Sequence, residues 1–275
     1  MTGRSIGVAV AFDRHLPPAV RELFGLLTNV GDVGVLLAAV ALCYWFGDRR
    51  RGAVALAGVL GASSLTLALK GLFALPRPPA TLRVARATGY GFPSGHALSA
   101  TVAFALLALA LDRRTRRSRT AVAAVVVAVV SLSRVVIGVH YAVDVVVGVG
   151  VGLAYVAALV GVSDWRPRRA FAVAGVFAAA ALLTNGLTPD ATAALAGVLG
   201  AGAAWTVFEI PSEASVRPLA AFAGLAVLGA LGYAGNALEL SLPALFGLNL
   251  LVPAGIVALP LAVERVRKEE SATVT

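Results

Sequence analysis

Nine apolar runs limit what this chain can be. They fall at roughly residues 28–46, 53–75, 94–111, 120–139, 143–162, 170–187, 191–208, 219–238 and 243–263. Each is long enough, as a helix, to cross a hydrocarbon core of about 30 Å. Backbone inside lipid must satisfy its own hydrogen bonds, so runs of this length span as helices. Composition agrees: 59% of the 275 residues are hydrophobic and 13% are charged, where a soluble chain carries roughly a quarter. The expected fold class is all-α, a polytopic bundle of membrane helices. Its Gly, Ala and Val content suits close helix packing in lipid.

The formal charge is +9. Its cations collect in short loops: Arg49 to Arg51, five Arg between Asp112 and Arg119, Arg166 to Arg169, Arg217, and Arg265 to Lys268. Fifteen of the 23 Lys and Arg thus follow odd-numbered runs. Loops rich in Lys and Arg stay on the cytoplasmic side. The expectation is a multi-pass cell-membrane protein with an outward N-terminus and a cytoplasmic C-terminus. The cations then read as topology signals and headgroup anchors, with no nucleic-acid partner. Cys43 lies within an apolar run, has no second cysteine to pair with, and reads as a small apolar residue.

Four segments follow from this pattern. Residues 1–27 are mixed: Ile6 to Phe12 is too short for a signal-peptide core, and Asp13-Arg14-His15 stands where a small-residue cleavage site belongs. Behind Pro17-Pro18, Ala19 to Leu27 reads as a short amphipathic helix at the interface. Residues 28–162 carry the polar motifs. Residues 170–263, beyond the Arg166–Arg169 linker, carry only scattered polar residues: Asn185, Glu209, Glu213, Asn236, Glu239 and Asn249. Residues 264–275 read as a cytoplasmic tail.

Three polar clusters interrupt the first half, each where an apolar run starts or stops. They are Lys70 with Arg77-Pro78, then Pro93-Ser94-Gly95-His96, then Ser133-Arg134 followed by Gly138, His140, Tyr141 and Asp144. On the topology above, all three lie on the outward face. An ionisable group at membrane depth marks function by default, although Lys70 alone also fits a lysine snorkelling to the headgroups. Pro93 to His96 opens a helix, whose first N–H groups form an anion site. The plainer reading makes Ser94 an N-cap and His96 a wet interfacial residue. A helix starting near Val139 puts His140 and Asp144 on one face, four residues apart. Asp144 then fixes the imidazole tautomer and frees the other nitrogen to attack; the plainer reading is a satisfied interhelical contact. His15 reads as an exposed bystander.

Taken together, K-x(6)-R-P, P-S-G-H and S-R-x(5)-H-x(3)-D resemble the three-part signature of the type 2 phosphatidic acid phosphatase superfamily. That superfamily includes membrane lipid phosphate phosphatases, soluble acid phosphatases and vanadium haloperoxidases. The resemblance covers roughly residues 53–162 and does not extend to 170–263. It implies that His140 is the nucleophile, that Asp144 orients it, and that His96 protonates the leaving group and later activates water. It also implies that Lys70, Arg77, Ser94, Gly95 and Arg134 hold the phosphoryl oxygens. The core would be a six-helix unit with three to four further helices behind it. Phosphoryl transfer is catalysed mainly by positioning and by charge on the equatorial oxygens, and three cations supply that charge. The sequence has no Walker A pattern and no obvious carboxylate-rich Mg²⁺ site, so no cofactor or metal is expected.

The function expected is hydrolysis of a lipid phosphate monoester or diphosphate (phosphatidate, phosphatidylglycerophosphate or isoprenyl phosphate type) through a phosphohistidine at the outer face. Two other readings stay open: a lipid-linked phosphotransferase using the same site, and an inactive transporter or scaffold. A haloperoxidase fits poorly with a site embedded in membrane. For residues 170–263 a packing platform, a homo-oligomer surface and the wall of a lipid groove all remain open.

Overall fold

The computed structural model describes residues 6–208 and 216–273. Arg4, Glu209, Glu213 and the last two residues of the expected tail lie outside them. Among the described residues the secondary structure is helical: α1 (Ile6–His15), α2 (Pro18–Leu27), α3 (Val33–Phe46), α4 (Arg49–Phe73), α5 (Gly95–Ala110), α6 (Arg116–Val136), α7 (Ala142–Ser163), α8 (Pro167–Asn185), α9 (Pro189–Val207), α10 (Pro218–Ala237) and α11 (Leu242–Thr273). Seven of these are long and apolar enough to cross a membrane. The chain is a polytopic helical membrane protein, as the apolar runs require.

α4 is the axis of the bundle. Ala, Gly, Val and Leu fill its middle, and nearly every residue from Gly52 to Ala68 is buried. Its neighbours are α3, α5, α8 and α9. Small residues make these contacts possible. A Cβ on Gly61 would come within 3.1 Å of the Ala174 backbone on α8, so the two helices touch backbone to backbone. Residues 170–263 are therefore not set apart in space: α8 and α9 pack directly on the motif-bearing helices. Among the membrane-spanning helices α10 is the least buried, lying chiefly on α11.

Several boundaries differ from the sequence expectation. The first run, 28–46, is not one helix. Thr28–Gly31 is a 3₁₀ turn, the chain breaks at Asp32, and the segments on either side are bent by 48°. Asp32 is extended there (φ −68°, ψ 138°), which leaves α3 only 14 residues. The fourth run starts earlier, because Thr115 caps α6 by accepting from Ser118 N at 3.2 Å. It also ends earlier, at Val136. α7 starts at Ala142 rather than near Val139, because Gly138 adopts φ +73° and reverses the chain. Residues 264–273 are not a separate tail but continue α11. Glu264 accepts from Arg267 at 2.9 Å and faces Lys268 at 3.7 Å, the i,i+3 and i,i+4 pairings that support helix.

The expected interfacial helix is α2, which buries no residue. Arg21 ties it down, pairing with Asp13 and donating to the Leu82 carbonyl at 2.8 Å. The N-terminal helices thus lie at the end of the bundle where α4 finishes and α5 begins. The Arg-rich loops lie at the other end, where Arg51 donates to both oxygens of Asp112 at 2.9 and 3.0 Å.

Candidate active site

The three polar clusters meet at the end of the bundle capped by α1 and α2. A few backbone contacts draw them together. Ser94 N donates to the Asp144 carbonyl at 2.9 Å, joining the start of α5 to the start of α7. A Cβ on Gly148 would come within 2.8 Å of the Ser94 carbonyl, so glycine there lets the two helix starts approach. The N–H groups of Val139 and His140 both donate to the Arg134 carbonyl at 3.2 Å, folding the reversal tightly against the end of α6. Gly138 presses on the Leu82 carbonyl, while Val84 N donates to the Ile137 carbonyl at 3.0 Å. The loop that carries Arg77 is thereby fastened to the turn that carries His140.

His140 is 1% exposed. Arg77 Nη1 lies 3.0 Å from its Nε2 and also reaches the Val139 carbonyl at 3.2 Å, while Arg77 Nε donates to the Thr88 carbonyl at 3.0 Å. On the ring's other side, Nδ1 stands 3.5 Å from Asp144 Oδ2. That oxygen accepts from Tyr141 N at 3.0 Å, which fixes the carboxylate at the start of α7. The His140–Asp144 pair thus forms without both residues being helical: His140 stands before the helix and Asp144, in its first turn, reaches back. Burial, followed by the positive charges of Arg77, Arg134 and Lys70, holds the His140 imidazole well below its ordinary pKa.

Lys70, Ser94, Gly95 and Arg134 lie at the same end of the bundle. A Cβ on Gly95 would lie 3.9 Å from Lys70 Nζ and 2.8 Å from Thr66 on α4, so the bare backbone at the start of α5 sits beneath the lysine. Arg134 is buried and donates to Thr28 Oγ1 at 2.7 Å, with its Nε unpartnered. Ser94 is at the N-cap position but makes no capping hydrogen bond, and its buried Oγ also lacks a partner. The capping reading of Ser94 therefore fails. Unpaired buried polar atoms cost roughly 1–3 kcal/mol each. Ser94 Oγ and Arg134 Nε are two such atoms, left without a protein partner where the motif-bearing segments meet.

His96 has a partner that the sequence reading missed. Its Nε2 lies 2.8 Å from Asp32 Oδ1. The signal was present, because Asp32 is a lone carboxylate inside the first apolar run, and only the break in that run turns it toward α5. Gly31 allows the approach: a Cβ there would meet the His96 ring at 3.1 Å. Thr28, as the partner of Arg134, was likewise not legible. Among the described residues no three His, Cys, Asp or Glu side chains gather as a metal site.

Comparison with known proteins places the chain in a family. The family model of the PAP2 superfamily matches residues 51–168. A decaprenylphosphoryl-5-phosphoribose phosphatase of Mycobacterium tuberculosis is 35% identical over 136 residues, which cover 48% of this chain and 71% of that protein. Two solved structures also match 57% of this chain, each with a TM-score of 0.49. They are a transmembrane PAP2-type phosphatidylglycerolphosphate phosphatase from Bacillus subtilis (23% identity, 83% of its chain) and LpxE of Aquifex aeolicus (19% identity, 98% of its chain). With a relative this similar over this length, the chain belongs to the PAP2 superfamily, as an integral-membrane phosphatase.

Proposed function

We propose that the protein hydrolyses the phosphate ester of a membrane lipid through a phosphohistidine formed on His140. The arrangement of His140 carries this reading: a buried, neutral imidazole between a guanidinium on one nitrogen and a carboxylate on the other. An incoming phosphoryl group draws Arg77 onto its oxygens and uncovers the Nε2 lone pair. Nε2 then attacks phosphorus in line with the leaving oxygen. The P–O bond breaks, a P–N bond forms, and Asp144 steadies the cationic ring through the Nδ1 proton. His96 gives its proton to the leaving alkoxide. In the second half it takes a proton from water, whose oxygen attacks phosphorus and returns His140. Lys70, Arg77, Arg134, the Ser94 hydroxyl and the Gly95 N–H hold the equatorial oxygens, where charge is most useful. These donors need no metal to balance the phosphoryl charge.

The site lies at one end of the helices, and the Arg-rich loops lie at the other. That distribution favours an extracytoplasmic active site and a cytoplasmic C-terminus. Residues 28–162 then form the catalytic unit, with the helices of 170–263 behind it. The similarity to a phosphatase named for a decaprenyl-linked phosphoribose makes a polyisoprenyl-linked phosphate a leading candidate beside phosphatidate. The direct test is phosphate release by purified protein, with excess chelator present, from phosphatidate, phosphatidylglycerophosphate and isoprenyl phosphates. Turnover of at least one is expected. No turnover of any, or turnover only after Mg²⁺ is restored, would overturn the reading.

A further inference from the structure

A cavity of about 760 Å³ opens beside the catalytic cluster, with Lys70, Gly95, His96 and Asp32 at its mouth. It does not stop at the phosphate site. On α4 its lining runs from Lys70 back to Leu60, ten residues or about 15 Å along a helix. That length is half of a hydrocarbon core of about 30 Å, with Lys70 at its polar end. Its deeper walls are apolar: Leu60 and Leu67 from α4, Leu225 and Leu228 from α10, Val252 and Ile256 from α11. Its volume falls in the ordinary range for a site that encloses one organic ligand.

Two features fit this space to a chain rather than to packing. Gly34 on α3 and Gly229 on α10 both line the cavity, and a Cβ on either would meet nothing within 4 Å. Between the charged mouth and the apolar body stands Thr66, one turn below Lys70. It is 6% exposed, and its Oγ1 lacks any partner in the protein. Toward the mouth the lining carries one cation, Lys70, with the carboxylates of Asp32 and Asp190; the unsatisfied Thr66 hydroxyl follows, and Leu60, Leu225, Leu228, Val252 and Ile256 lie deeper. A phosphorylated lipid presents its groups in the same order. The α9, α10 and α11 walls also lie beyond the family-matched segment, which ends at residue 168.

We propose that α9, α10 and α11 form the binding site for the hydrocarbon chain of the substrate, so that this half of the protein selects the lipid that the other half hydrolyses. The proposal rests on the phosphatase reading of the same site. It gives the motif-free half a task, and it makes the little-buried α10 the side on which a chain enters from the bilayer.

The test fills the cavity without disturbing the chemistry. Gly229→Phe places a ring in the open space, while Gly247→Phe on α11, also with nothing within 4 Å of its Cβ but outside the cavity lining, is the matched control. kcat/KM is measured for dioleoyl phosphatidate in mixed micelles and for p-nitrophenyl phosphate, which has no chain. Gly229→Phe should lower the lipid value roughly tenfold or more, the scale of steric discrimination in an apolar pocket, and spare the chain-free ester. Gly247→Phe should change neither. Equal effects of Gly229→Phe on both substrates, or none on either, overturn the proposal.

A second measurement does not depend on turnover. Wild-type protein is photolysed with a phosphatidate carrying a diazirine in its acyl chain. Adducts should map to cavity residues of α9, α10 and α11, with excess phosphatidate competing and phosphatidylcholine not. Adducts confined to outward positions such as Val176 and Leu183, or equal competition by both lipids, overturn the chain site. If wild-type protein releases phosphate from no ester, the phosphatase reading fails, while the adduct map still decides on the cavity.

Discussion

Arg77 Nη1 stands 3.0 Å from His140 Nε2. A guanidinium has donors only, so this contact assigns Nε2 as the acceptor and places the ring proton on Nδ1, toward Asp144. The Nε2 lone pair is thus directed at a cation, as the proposed attack on phosphorus requires. The same guanidinium also ties the loop carbonyl of Thr88 to the turn carbonyl of Val139.

Nitrogen NMR of histidine-labelled protein should therefore find His140 as the Nδ1–H tautomer at neutral pH. Because burial and three cations depress its pKa, its protonation midpoint should fall well below the usual value of about 6.5. The sign matters for folding as well. A depressed histidine contributes stability above the unfolded-state pKa, and this is lost as pH falls toward the folded one. A midpoint at or above the usual value would refute the assignment. Arg77→Lys keeps a charge but loses the fork, and kcat should drop on the order of 10²-fold.

Asp32 should act through His96 rather than on substrate. Asp32→Asn removes the carboxylate that orients and supports the protonated ring. Turnover of a lipid phosphate with a poor alkoxide leaving group should then fall by about 10- to 100-fold, within the 10²–10⁴-fold that general acid catalysis supplies. The kcat/KM for p-nitrophenyl phosphate, which reports the attack step and whose leaving group needs little protonation, should change much less. Equal losses on both esters would mean that Asp32 only holds the fold together.

Asp32 also marks the limit of what the sequence disclosed. The polytopic helical class and the polar clusters were legible because the bilayer forces long apolar runs and because lone charges at their ends are costly, although seven described helices rather than nine are long and apolar enough to span. Lys70, Arg77, Ser94, His96, Arg134, His140 and Asp144 stood out for that reason, and the fold gathers them at one end. The break at Asp32 was hidden because Gly31 and Asp32 interrupt hydropathy for only two residues, while the bend they cause depends on α5 packing alongside. The cavity was hidden for a related reason. Gly34 and Gly229 read as ordinary small membrane residues, and only the packing of α3 against α10 leaves space between them.

Gly138→Ala tests the reversal before His140. Alanine at φ +73° carries a backbone penalty of about 1–3 kcal/mol, and its methyl would also collide with the Leu82 carbonyl. A lowered melting temperature in detergent is expected, together with loss of activity as His140 leaves the Arg77 loop. An unchanged melt and full activity would mean that the turn is not the constraint described.

Orientation is checked by impermeant thiol labelling of whole cells after Cys43→Ser. Thr81→Cys, exposed in the Arg77 loop, should react from outside, whereas Arg113→Cys, exposed in the Arg-rich loop, should react only after permeabilisation. Labelling of both from the same side would overturn the topology.

The two histidines should fail differently when removed. His140→Ala leaves no nucleophile, so no covalent phosphoenzyme can form with any ester. His96→Ala keeps the nucleophile and its Arg77 and Asp144 contacts but loses the proton donor. Its defect should therefore be large for an alkyl phosphate and shrink for p-nitrophenyl phosphate, because general acid catalysis contributes less as the leaving group improves. With that good leaving group, loss of His96 also slows the water step more than the attack step, so labelled phosphoenzyme should accumulate. Acid-labile, base-stable label trapped after a rapid quench identifies a phosphorus–nitrogen bond. Label retained in His140→Ala and absent from His96→Ala would reverse the roles assigned to the two rings.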